Sequence, residues 1–316
     1  MKDLGKLATR DAYGQALADL ATQYDFVVLD ADLSKSTKTA TFRKVCPERF
    51  VNCGIAEGNM MGVAAGIAST GRPAFASTFA MFAAGRAYDS VRNGIGYPHL
   101  NVKIAATHTG ISVGEDGATH QCIEDIALMR AIPGMVVCCP ADGPSTAAAV
   151  RCALEHDGPV YLRLGRLAVP TLYEDLSGFA FGKGILLREG SDAVIVAVGL
   201  MTARALAAAE SLAEKGIQVA VIDMHTVKPL DEALLLEWAE KTGAVVTAEE
   251  HTILGGLGSA VAECLGEHRP TVLQRVGVRD LFGSSGKAEE VLTAYGLTAQ
   301  AIEEAVCTAI ARKSLR

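Results

Sequence analysis

The chain has 316 residues, half of them hydrophobic but only 5% aromatic, with a formal net charge of −7. That length suits two domains, and an apolar fraction supplied by Ala, Val, Leu and Ile suits parallel sheets covered by helices. The acidic balance, without a basic patch, a signal-peptide core or a membrane-length apolar run, argues against a nucleic-acid or membrane partner and makes a cytoplasmic protein the expectation.

In chain order, a charged helical pattern opens the sequence, and short apolar runs then alternate with Ala-rich helical stretches. "FVVLD", "PAFAS", "VKIAATH", "MVVCCP" and "VYLRL" read as strands of the first half. After a Gly- and Pro-containing lapse between Tyr173 and Gly190, "AVIVAVG", "QVAVIDM", "AVVTAEE" and "VLQRVGV" read as a second series. The expected fold class is α/β, two doubly wound domains with mainly parallel sheets over residues 1–175 and 190–316. Cys46, Cys53, Cys122, Cys138, Cys139, Cys152, Cys264 and Cys307 form no CxxC pair and read as reduced thiols. The turn "GGLG" lacks GxGxxG spacing, which argues against a dinucleotide site.

Ligands of open parallel sheets collect beyond the carboxyl ends of the strands, and three polar loops fall there: "DADLSKSTK", "NCGIAEGNMMG" and "THTGISVGEDGATHQ". Glu57 opens a helix, either as a favourable N-terminal charge or as an acid in an apolar site, able to share a proton with a ligand nitrogen. Phe79 and Phe82 are three apart, which suits the core or a stacking face for a flat heterocycle. His108, Asp116 and His120 in a glycine-flexible loop suit a polyhydroxylated ligand, and their spacing matches no zinc pattern. Arg10, Ser36 and Arg166 read as solvated surface or as phosphate contacts.

"GEDGATHQ", with "TFAMF", "ATR" and "DADLSKS", resembles the transketolase family. The likeness runs from Arg10 to the end, through that family's pyrimidine-binding domain and then its C-terminal domain. It implies thiamine diphosphate as cofactor. Glu57 would hydrogen-bond its aminopyrimidine and favour the imino tautomer that activates the thiazolium C2, and Phe79 and Phe82 would pack on that ring. His108, Asp116 and His120 would contact sugar hydroxyls, with Glu57, His108 and His120 as the catalytic set. Arg10, Asp32, Ser36, His108 and Arg166 would surround the substrate, its phosphate included. The third aromatic expected after "TFxxF" is displaced, with Gly85 and then Tyr88 in that region, and Ala118 stands where the family motif has Pro.

The GDG motif followed by Asn, which anchors Mg²⁺ and the diphosphate in this family, is absent, and no Asn follows Asn101. The resemblance therefore implies the C-terminal subunit of a split transketolase, with no metal ligand of its own. A separate N-terminal subunit would hold Mg²⁺, in a two-plus-two heterotetramer with self-association of this chain. The rival expectations are the β subunit of a 2-oxoacid dehydrogenase E1 component and a non-catalytic binding protein of the same fold.

Overall fold

A computed structural model describes residues 5–315. The first sheet contains β2 (Val27–Asp30), β3 (Phe50–Asn52), β4 (Ala74–Phe79), β5 (Val102–Thr107), β6 (Val136–Cys138) and β7 (Val160–Arg163). They run parallel in the order β6-β7-β5-β4-β2-β3. β4 and β5 are buried at every position, as strands covered on both faces must be. Lys103 is the charged exception in β5. Its ammonium donates to the carbonyls of His156 (2.8 Å) and Gly158 (2.7 Å), and burial pulls its pKa down to about 7.

The helices supply small apolar faces to this sheet. α1 (Thr9–Leu20) follows β1 (Lys6–Ala8), which pairs antiparallel with β8 (Ala168–Pro170). α2 (Ser34–Thr37) and α3 (Thr39–Val45) meet at Lys38, a left-handed residue (φ 70°) packed so close to α1 that only Gly14 fits beneath it. α6 (Gly143–Glu155) packs beside α1, and α4 (Glu57–Ser69) and α5 (Asp125–Arg130) cover the opposite face. In α6 the Asp142 carboxylate accepts from the Ser145 backbone N–H (2.8 Å) in a reciprocal capping box.

The second sheet has the order β14-β13-β10-β11-β9, built from β9 (Ile185–Arg188), β10 (Ala193–Ala197), β11 (Val219–Asp223), β13 (Ala244–Thr252) and β14 (Val272–Val278). It is parallel except for the edge strand β9. α7 (Met201–Glu214), α8 (Glu232–Thr242), α9 (Leu257–His268), α10 (Ala288–Ala294) and α11 (Ala299–Lys313) cover it. β9 lies inside the stretch expected as connection, because its apolar residues are too few and too flanked by glycine to read as a strand.

One strand crosses between the halves. β12 (Thr226–Lys228) leaves the second domain and pairs antiparallel with β6, covering an edge that would otherwise expose unpaired backbone groups. Nearby, the buried Arg163 pairs with Asp125 (2.9 Å) and donates to the carbonyl of Glu250 (2.9 Å). The Glu250 carboxylate accepts from the Ser112 backbone N–H (2.6 Å), and burial raises it to about 7. The domains are thus joined by a buried polar seam. No helix among the described residues is long and apolar enough to cross a membrane.

Candidate functional site

The polar loops gather where the parallel strands end at their carboxyl side. β2 leads to Asp32 and Ser36, β3 to Glu57, β4 to Phe79 and Phe82, β5 to His108 and β7 to Arg166. Arg10 arrives from the first turn of α1.

Glu57 is the first residue of α4 and only 2% exposed. Both of its carboxylate oxygens accept from Arg86 Nη1 at 3.0 Å. Arg86 closes a six-residue π-helix, Met81–Arg86, and its guanidinium carbon lies 4.5 Å from the centre of the Phe82 ring. Phe82 stacks on Phe79 (5.7 Å, 17°), and Phe79 stacks on His108 (3.8 Å, 27°). His120 meets the edge of Phe82 at 5.5 Å. A continuous ladder of flat groups therefore runs from Arg86 to His108.

At its far end the ladder reaches the cations. Arg10 Nη1 donates to His108 Nε2 (2.9 Å) and to the Ser36 carbonyl (3.3 Å). Since arginine only donates, Nε2 of His108 is the acceptor, and Nδ1–H faces the Thr107 hydroxyl at 2.9 Å. Burial, then Arg10, Arg166, His120 and Lys38, push the His108 pKa down to about 3. The imidazole is neutral. Burial also lowers Arg10, whose buried Nε has no hydrogen-bond partner and lies 3.7 Å from the Asp11 carboxylate. Arg166 donates to the Val113 carbonyl and to Glu115 Oε2 (3.1 Å).

The remaining candidates lie at the rim. Asp116 is exposed. His120 Nδ1 is 2.9 Å from the Thr119 hydroxyl. Asp32 is exposed and left-handed (φ 64°), and it exchanges hydrogen bonds with Asn52 at 3.0 and 3.1 Å. The structure does not join Asp32 to the arginines. Its buried neighbour Asp30 shapes that loop instead, accepting from the Leu33 N–H (2.6 Å), Thr37 (2.6 Å) and Thr39 (2.9 Å).

Four contributors were not singled out in the sequence. Arg86 lay inside a helical pattern with nothing to mark it, and Glu115 lay unassigned within the "GEDG" motif. Lys38, paired with Asp11 at 2.8 Å, was visible only as one of the charges of "SKSTK". Gln121, the last residue of "GEDGATHQ", donates to the carbonyls of Ile111 (3.1 Å), Gly114 (3.3 Å) and Ser284 (2.9 Å), tying the loop to the second domain. The Gly-rich turn before α9 is also accounted for. The Glu249 carboxylate accepts from Leu257 N–H (2.7 Å) and Gly258 N–H (2.8 Å), filling that helix N-terminus from within.

Comparison with known proteins agrees with this architecture. Residues 5–171 match the family model described as transketolase, pyrimidine binding domain, and residues 182–302 match transketolase, C-terminal domain. A solved structure described as a split gene transketolase, inactive beta4 tetramer, superposes with a TM-score of 0.92 at 55% identity, covering 97% of this chain and 99% of that one. The 6-deoxy-6-sulfo-D-fructose transketolase subunit SqwH of Clostridium sp. (strain MSTE9) is 46% identical, over 97% of this chain and 96% of that protein. Homo sapiens transketolase is 38% identical, over 95% of this chain but only 49% of the human protein. The chain belongs to the transketolase family and carries that family's pyrimidine-binding and C-terminal domains.

Proposed function

We propose that this chain is the C-terminal subunit of a split, thiamine diphosphate-dependent transketolase that moves a two-carbon ketol unit between sugar phosphates. The observation that carries the reading is the continuous ladder from Glu57, Arg86 and Phe82 through Phe79 to His108 and Arg10, with Arg166 nearby as a further cation. It sets a carboxylate with an aromatic face at one end and an anion-binding cluster at the other. The split arrangement is supported by the near-complete overlap with a relative described as a subunit and by the half-length overlap with the human protein.

The residues fit the cofactor. A buried carboxylate beside a partly exposed aromatic ring offers an aminopyrimidine both its hydrogen bond and its stacking face. When bound, the cofactor supplies the nucleophilic centre and the electron sink. Glu57 would accept or share a proton at the ring nitrogen of that group. His108 and His120 face the sugar hydroxyls, and Asp116 reads a hydroxyl from the rim. Neutral His108 keeps Nε2 as an acceptor oriented by Arg10, so reorienting the Arg10 fork toward a terminal anion frees that nitrogen for a substrate O–H. Arg10, Ser36 and Arg166 bind the phosphate, with Lys38 adding charge. A sulfonated ketose presents the same terminal anion chemistry. Mg²⁺ and the diphosphate belong to an N-terminal subunit, and the assembly is cytoplasmic, with two copies of each chain.

Purification of the tagged chain from its native lysate, with mass spectrometry of protein and cofactor, tests this reading. A co-purifying subunit carrying GDG and Asn, with thiamine diphosphate and ketol transfer between sugar phosphates, is the expected result. Decarboxylation of 2-oxoacids without ketol transfer, or turnover of sugar phosphates by this chain alone, would overturn it.

A further inference from the structure

The seat expected for the aminopyrimidine is defined by Glu57 and the open face of Phe82, and both are engaged by one side chain of this protein. Arg86 places one nitrogen 3.0 Å from each Glu57 oxygen and lays its flat cation 4.5 Å over Phe82. A guanidinium in that position offers the carboxylate an N–H and offers the ring a planar, electron-poor face. An aminopyrimidine sharing a proton with Glu57 would offer the same two features. Arg86 is 56% exposed while Glu57 is 2% exposed, so the arginine can swing into water, whereas the carboxylate cannot leave. Its delivery also requires unusual backbone. Met81–Arg86 is a π-helix, a wide turn that is rare and recurs at functional sites.

Resting on the cofactor reading above, we propose that Arg86 occupies the aminopyrimidine seat of the cofactor-free chain and must swing out before cofactor can engage Glu57 and Phe82. A lone buried carboxylate costs free energy. Arg86 supplies its partner when cofactor is missing, and cofactor supplies it afterwards. The site is therefore latched in the empty subunit, and the latch opens by exchange of one planar partner for another.

The full chain tests this with 4-amino-5-hydroxymethyl-2-methylpyrimidine as probe, by calorimetry and by the arginine Nε–H signals in NMR. R86A should bind the probe about ten-fold more tightly than the unaltered chain. R86K, which keeps the charge but loses the planar fork, should fall between them. E57Q introduced into R86A should cancel the gain. In the unaltered chain, saturating probe should move the Arg86 Nε–H signal toward its solvent-exposed position. Equal affinities in all three chains, binding by none, or an unmoved signal at saturation would each overturn the proposal. If R86A does not fold, R86K and the NMR signal decide. These outcomes are separable from failure of the functional reading: an assembled complex that transfers ketol units while R86K and the unaltered chain bind the probe alike refutes the latch alone.

Discussion

His108 illustrates how much one residue owes to its neighbours. Its sequence position marked it as a sugar contact, yet only the fold reveals a neutral ring stacked on Phe79, accepting from Arg10 and held at about 3 by burial and nearby cations. Because its folded pKa lies below the ordinary 6.5, the folded state binds fewer protons. It should contribute no limb to the pH–rate profile of the assembled enzyme between about pH 5 and 8. His108→Ala removes the shorter of the two hydrogen bonds that Arg10 Nη1 makes, at about 1–3 kcal/mol. Steady-state kinetics should show kcat/KM down about ten- to hundred-fold. Glu57→Gln keeps the shape but not the shareable proton, and kcat of the complex should fall at least about a hundred-fold with the melting temperature little changed. Unchanged turnover would remove Glu57 from the catalytic set.

Among the elements, the loop from His108 to Gln121 has no regular structure beyond one short turn at Ile111–Val113, so its shape depends on what it rests against. Gln121 provides that support with three carbonyl contacts, one of them to Ser284 in the second domain. Gln121→Ala should raise KM for the sugar about ten-fold with a smaller change in kcat, because it frees the loop rather than removing a reacting group. An unaltered KM would show that the loop holds its shape by itself. Gly110 has a stricter requirement. Its φ is +71°, and a Cβ there would meet the Glu250 carboxylate at 2.2 Å. Gly110→Ala should cost about 2–3 kcal/mol in a denaturant titration. The strands β2, β4, β5 and β7 were legible as apolar runs. The π-helix was not, since a helical pattern of residues does not reveal whether its backbone bonds close after four residues or five.

For the whole molecule, the seam between the domains dominates the response to pH. Burial raises Glu249, Glu250 and Asp223 to about 7. It lowers His225 and His251 to about 4 and His108 to about 3. A raised carboxyl contributes stability present below its ordinary value and lost as pH rises toward 7. A depressed histidine costs stability as pH falls below about 6.5. Each slope is about 1.4 kcal/mol per pH unit. Three groups therefore oppose three between about pH 4.5 and 6.5. Melting temperature should be nearly flat across that window and fall steeply in more acidic buffer. A steady decline from pH 6.5 to 4.5 would show that the carboxyls are not held protonated by burial, and a steady rise that the histidines are not held neutral.

The sequence by itself determined the family, the α/β class, the alternation of strands and helices, and most of the polar residues at the sheet edge. Those features are written in local apolar periodicity and in a contiguous motif, "GEDGATHQ". Only the tertiary structure decided that Glu57 pairs with Arg86, that Asp30 rather than Asp32 organises the loop after β2, that β12 joins the first sheet, and that Gln121 clamps two domains together. Each of these contacts links residues distant in the chain or sets the direction of one side chain. Both depend on packing and burial, which no single stretch of sequence records.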